Sequence, residues 1–356
     1  MICNCNFYTY FSIRDIIGNW DELSESMYQK KFFLEHLEKH NPCKQRYYCG
    51  YVNDTLVVGM IVYSLEINLF TFSGKKLQLK ANIIGIPASV DASGVIGDQK
   101  YGDQLLTHIL INEKGVILCL NYNYSDSVPD IIKMSTLPSL IFEKRDIDWS
   151  SFLLSIKHNY RRRIKVANLK FQNVTQTESE CLTFTQAHYR QYLEVIEKTK
   201  TKLEVLSFDF FRHLPEPFRL YSFYHENELL TWHITARDEE TYYFLFGGIN
   251  YSLRDLYDSY FNNLIAILKE GFATDCRYVN LGQTAETSKN RLGAELVEKK
   301  MFLYHSHWGI RMILKALKGA LTYKSKTRQS NIYKKAFPNF KKNETDENTF
   351  SKTIPP

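Results

Sequence analysis

The chain has 356 residues, of which 44% are hydrophobic and 24% charged, enough for about two domains with cores of ordinary size. Aromatic residues reach 14%, with 24 Tyr and 23 Phe, which excludes a largely disordered chain. No apolar run approaches the roughly 20 residues of a membrane span, so an integral membrane protein is not expected.

The net charge of +6 is unevenly placed. Twelve Lys and Arg and no acid lie between Lys299 and Asn343, and six more, again without an acid, lie between Trp149 and Thr177. The remainder is therefore net acidic. Segregated basic charge points to a polyanionic partner: a cofactor's phosphates, RNA or an anionic membrane surface. The opening residues show no basic start, long apolar stretch or small-residue cleavage site, so a cytoplasmic location is expected rather than secretion. Seven scattered cysteines read as buried thiols. Cys3 and Cys5 form a lone C-x-C, short of the four ligands of a zinc site, and no metal site is expected. His305 and His307 read as rim histidines at a strand end.

In chain order, helical spacing of Leu23, Met27, Phe33 and Leu37 predicts a helix over Asp21–Lys39. Strands are expected at Arg46–Val52, Leu56–Leu65 and Leu69–Leu79, with Asn53-Asp54 as a hairpin turn. A Gly/Ser/Asp-rich loop follows over Gly85–Asp98, then a helix over Asp103–Asn112 and a strand over Val116–Leu120. The stretch Asn121–Pro138 is polar, with Pro129 and Pro138, and the domain junction is expected just after it. Phe152, Ile156, Tyr160 and Ile164 predict one helix over Asp148–Leu169, with basic residues on its outer side, and a second helix is expected at Thr185–Lys198.

Strands are then expected at Arg219–His225, Leu229–Ala236 and Thr241–Phe246, the last ending at Gly247-Gly248. Phe261, Leu264, Ile265, Leu268 and Phe272 predict a strong amphipathic helix closed by Gly271. A short strand at Arg277–Leu281, a short helix, a strand at Glu298–His305 and a helix at His307–Leu321 complete the pattern. This order reads as α/β or α+β with mixed sheets. No G-x-G-x-x-G follows the first strand and no G-x-x-x-x-G-K-[ST] occurs, so dinucleotide-binding and P-loop readings lose their support.

The run Thr241–Glu298 resembles the second domain of the FemAB-like transferases, within the GNAT acyltransferase superfamily. The features stand in order: a strand ending at Gly247-Gly248, a long helix ending at Gly271, a strand ending at Gly282, then Ser288-Lys289-Asn290-Arg291-Leu292-Gly293. The family shows an aromatic-Lys-x-x-Phe-Gly stretch at this last place. The match covers roughly residues 148–318, and the first half matches in its order of elements. Departures are Ser288 in place of the aromatic residue, the short turn between Gly282 and Lys289, and the lack of a long paired-helix insertion. The acetyl-CoA motif R/Q-x-x-G-x-G/A is not met either, since Asn290 and Glu295 occupy its first and last positions.

The resemblance implies two tandem GNAT-like domains, each a mixed sheet flanked by helices: residues 1–145, then 146–323 as the catalytic half, then a basic, disordered tail at 324–356. It implies transfer of an acyl or aminoacyl group to an amine, from acyl-CoA, a carrier-bound thioester or aminoacyl-tRNA. Such chemistry needs an oxyanion partner and a proton acceptor. Lys289 is the expected oxyanion stabiliser, with His233 and Glu286 as candidate bases. Gly247, Gly248, Gly293, Arg162 and Arg163 are the candidate donor-binding residues. The rival reading is a non-catalytic module of the same fold that uses its basic C-terminal helix on RNA or membrane.

Overall fold

The computed structural model describes residues 5–41, 43–122, 128–145, 147–199 and 203–334. In chain order the elements are β1 (Asn6–Tyr10), α1 (Lys31–His40), β2 (Gln45–Val52), β3 (Thr55–Asn68), β4 (Gln78–Ile84), β5 (Val95–Gly97), α2 (Gln99–Asn112), β6 (Val116–Leu120), β7 (Ile132–Ser135) and β8 (Ser139–Glu143). There follow α3 (Trp149–Ser155), α4 (His158–Lys170), β9 (Thr175–Glu180), α5 (Gln186–Lys198), α6 (Phe208–Arg212), β10 (Arg219–His225), β11 (Glu228–Arg237) and β12 (Thr241–Ile249). The chain continues through α7 (Arg254–Tyr257), α8 (Ser259–Phe272), β13 (Tyr278–Asn280), α9 (Glu286–Asn290), β14 (Glu295–Val297), β15 (Lys300–His305), α10 (Trp308–Ala316) and α11 (Lys318–Leu321).

Two mixed sheets result. The first runs β1-β2-β3-β4-β6-β15-β7, with β5 also on β3; the second runs β9-β10-β11-β12-β13-β8-β14. In each, the single parallel pair (β4 with β6, β12 with β13) is joined by a long helix, α2 or α8. The strand order is thus the same in both, as expected for tandem domains. Two strands cross the division expected at 145/146: β8 lies between β13 and β14 of the second sheet, and β15 lies between β6 and β7 of the first. One buried cluster also joins Trp20, Phe33 and Tyr47 to Phe210, Phe211 and Trp232, so the halves share a core.

Several local expectations are corrected. The Asp21–Lys39 helix is interrupted because Ser26 caps a short turn at Met27–Gln29, and Gln29 turns inward to donate to the Ser93 and Val95 carbonyls at 3.0 Å each. The third strand starts at Gln78 rather than Leu69. Asn68 Oδ1 accepts the N–H groups of Phe70 and Leu77, which folds the intervening residues into a turn. The single helix expected over Asp148–Leu169 breaks at Ile156, which bridges to Tyr333 while the Lys157 N–H bonds to the Ile332 carbonyl at 2.8 Å.

Residues 324–334 of the expected disordered tail pack on the body. Ile332 is 1% exposed, Ser330 N–H donates to Asn290 Oδ1 at 2.7 Å, and Gln329 Oε1 accepts from Asn290 at 2.9 Å. A basic, polar composition hid this, because one well-placed isoleucine and backbone bonding suffice to dock a strap. Cys3 and residues 335–356 lie outside the described residues. Among the described residues no helix is long and apolar enough to cross a membrane.

Truncation after Tyr323 is therefore expected to lower the melting temperature by several degrees. Ile332→Ala alone should cost about 2–4 kcal/mol. Unchanged thermal unfolding of both proteins would show that the strap is not docked in solution.

Candidate functional site

After Tyr243 and Asn280 the parallel strands β12 and β13 part. The shorter ends, while β12 runs on through Phe244–Ile249 without that neighbour. A cavity of about 300 Å³ lies in this opening and extends to the face of the first sheet. Phe244, Phe246 and Gly247 line one side, Gly282, Gln283 and Lys289 another, and Val195 and Ile196 of α5 a third.

Lys289 stands near the end of α9 and is 2% exposed. Its Nζ donates to the Gln283 carbonyl at 2.6 Å and the Gly282 carbonyl at 3.4 Å. An ammonium carries three hydrogens, so one remains for the cavity. The turn that supplies these carbonyls is strained: Gly282, Thr284 and Ala285 all have left-handed backbone, which a β-branched threonine adopts only under constraint. Burial pushes the Lys289 ammonium down to about 7, against the opposing charges of Asp91 and Glu286.

The cavity also holds two carboxylates that the sequence did not single out. Asp91 is buried and accepts from Asn280 Nδ2 at 2.9 Å. Glu204, from the segment before α6, is held by the first half of the chain. Asn41 Nδ2 donates to it at 3.4 Å, Ser89 Oγ at 3.3 Å and the Cys43 thiol at 3.8 Å. Burial raises its carboxyl to about 7, with these hydrogen bonds opposing. No motif marks Glu204, because its environment comes from residues more than 100 positions away.

The remaining candidates are placed as follows. Gly247 lines the cavity, and a Cβ there would stand 2.8 Å from the Trp232 carbonyl. Gly248 makes room for the Trp232 indole, whose ring would meet a Cβ at 2.1 Å, so packing accounts for this glycine. Both lie inside β12, paired with β11, rather than beyond its end. His233 is fully buried and outside the lining. Its Nδ1 meets Asn263 Oδ1 at 2.5 Å and its Nε2 meets Glu270 Oε2 at 2.9 Å, so it bears on the cavity only through Asn263. The Glu286 carboxylate accepts from Tyr323 and Ser325, which ties α9 to the strap.

Gly293 is not among the lining residues. Its φ of +101° and the Ile332 side chain, 2.8 Å from a built Cβ, explain the glycine as a turn and packing residue. Arg163 grips Asp258 with both terminal nitrogens and lies over Phe261, and Arg162 is exposed on α4; neither lines the cavity. Of the residues expected at the site, Lys289 and Gly247 come together. Among the described residues no group of three His, Cys, Asp or Glu side chains could hold a metal ion.

The raised Glu204 carboxyl gives a pH test with a definite sign. Between its ordinary value and about 7 the folded state holds a proton that the unfolded state has lost, so stability falls as pH rises through that window. The melting temperature of Glu204→Gln minus that of the parent should therefore rise from pH 4.5 to 7 and level off above. A difference that stays flat across this range would show that Glu204 titrates normally.

No protein-family model matches the sequence, and no curated protein matches it. Solved structures do. The fold aligns with FemX at a TM-score of 0.51 and 10% identity, covering 82% of this chain and 94% of that one. It aligns with L-PGS from Bacillus licheniformis at a TM-score of 0.50 and 9% identity, covering 80% and 92%. A tandem GNAT protein from the clavulanic acid biosynthesis pathway aligns over 85% of this chain and 99% of that one, at 10% identity and a TM-score of 0.48. At these identities the likeness concerns architecture alone: the chain shares the fold of FemX and of L-PGS.

Proposed function

We propose that the protein transfers an acyl or aminoacyl group from a thioester, acyl-CoA or carrier-bound, or from an aminoacyl-tRNA, onto an amine. The observation that carries this reading is the buried Lys289 ammonium, anchored by two backbone carbonyls with its third hydrogen left for the cavity. The FemAB-like fold supports it.

In the proposed reaction the amine nitrogen attacks the donor carbonyl carbon, and the C–N bond forms as the carbonyl π electrons move onto oxygen. Lys289 faces that oxyanion. A desolvated cation gains most when negative charge develops beside it, which favours the transition state over the bound donor. The cavity lining supplies two carboxylates, Asp91 and Glu204, as candidate acceptors of the proton released by the attacking nitrogen, and that proton passes on to the leaving group. Collapse of the oxyanion breaks the bond to sulfur, or to the ribose oxygen of a tRNA, and the leaving group departs with a proton. The edge of β12 beyond Tyr243 lacks the β13 neighbour and offers backbone groups to an amide-bearing donor arm.

A second reading keeps the fold as a binding module acting through α10 on RNA or membrane. It is favoured by the exposure of Trp308 (69%) and Ile313 (61%) beside Arg311 and Lys315. Salt separates the partners. RNA binding should weaken steeply with ionic strength, whereas free CoA should protect a CoA-dependent enzyme against thermal unfolding.

Lys289→Met should fold, since the apolar stem is retained, and turn over roughly a hundredfold more slowly or worse, the scale of losing one oxyanion donor. Donor affinity should change little. Lys289→Arg should rescue poorly, because a planar fork does not fit the corner that a compact ammonium fills. Turnover of Lys289→Met at the parent rate would remove the proposed centre.

A further inference from the structure

We propose that the substrate carries an unbranched hydrocarbon chain that lies on the face of the first sheet while its polar head sits at Lys289. This rests on the reading of Lys289 as the reacting end and names the chemical class of what it acts on.

The floor of the cavity is built by register. Leu118 and Leu120 alternate on one face of β6; across the ladder Leu303 stands opposite Leu118 and Met301 opposite Leu120, with Met134 of β7 beyond Met301. Five apolar side chains from three adjacent strands thus form a continuous surface, within a cluster that Leu321 of α11 helps to close. The lining turns polar where β6 ends. Asn121 Oδ1 accepts from Gln283 Nε2 at 3.1 Å, and the Gln283 carbonyl holds Lys289. Polar head and apolar floor are therefore joined in sequence along one strand.

Leu118, Leu303, Met301 and Met134 pack against one another and are at most 8% exposed, and what they present to the cavity is hydrocarbon, which favours an apolar body over water. Two of the five floor positions are methionine, the flexible side chain that adapts to an irregular or mobile hydrocarbon. An acetyl group or a small polar aminoacyl group would reach Lys289 and leave the floor uncovered. A chain of several methylenes covers it. The chain belongs either to the acyl group of the donor or to the acceptor amine, and the head group distinguishes the two.

Isothermal titration of the full chain with n-alkyl carboxylates and n-alkylamines of four to twelve carbons tests this without turnover. Each added methylene should tighten binding about fourfold, corresponding to about 0.8 kcal/mol, until the floor is filled, at one molecule per chain. Tighter binding of the carboxylates assigns the chain to the donor, and of the amines to the acceptor. Met301→Phe should shorten the best length and Met134→Ala should lengthen it, two opposite shifts that a general loss of stability cannot produce. Affinity independent of chain length, or a length preference that neither substitution moves, would overturn the proposal. Lys289 chemistry would survive that result. Conversely, full turnover by Lys289→Met would remove the chemistry and leave the length series standing.

Discussion

Each sheet of this protein is completed by a strand borrowed from the other half of the chain. β13 ends at a free edge unless β8 pairs with it, and β6 does the same unless β15 arrives from more than 180 residues downstream. An unpaired central edge leaves a row of backbone donors and acceptors without partners, so neither half satisfies its own hydrogen bonds. The shared cluster around Trp20, Phe33, Phe210 and Trp232 adds the same constraint through apolar burial. Exchange and shared core together hold the two sheets at the spacing from which the cavity follows.

The cavity inherits its chemistry from that arrangement. β15 brings Met301 and Leu303 beneath an opening made by β12 and β13, and the chain leaving β7 brings Thr136 and Leu137 to its rim. Lys289 sits where the second sheet opens, and Glu204 is gripped by Asn41, Cys43 and Ser89 of the first half. A buried ammonium and a buried carboxyl, each moved toward neutrality by desolvation, are costly to maintain. Their cost is offset by the local bonds that hold each one, and the strained turn at Gly282–Ala285 belongs to the same expense.

The docked strap contributes to this organisation. Tyr323 and Ser325 take the Glu286 carboxylate, and Gln329 and Ser330 take Asn290, so both ends of the short α9 are held from outside. A helix of five residues has little intrinsic stability, and external bonds of this kind are what fix the direction of the Lys289 stem. Ile332 enters the space that Gly293 leaves open, which explains the glycine that the sequence had suggested for a ligand.

Periodicity in the sequence determined the long amphipathic α8 around Leu264, Ile265 and Leu268, the β10–β11 hairpin and the strand at Val116–Leu120, because each depends on residues within a few positions of one another. The order Gly247-Gly248, Gly271, Gly282 and Lys289 likewise singled out, by resemblance to the FemAB-like transferases, a lysine that lines the cavity. The tertiary structure decided what depends on distant partners. β7 and β8 lay hidden in and beside a polar junction, since strands of four and five residues are too short for their alternation to stand out from the polar residues around them. Glu204 is held in the cavity lining by residues 41, 43 and 89, and Asn263 stands between His233 and the cavity. Sequence spacing records the period of one element. The fields and contacts that make a carboxylate or an imidazole functional are assembled from several elements at once.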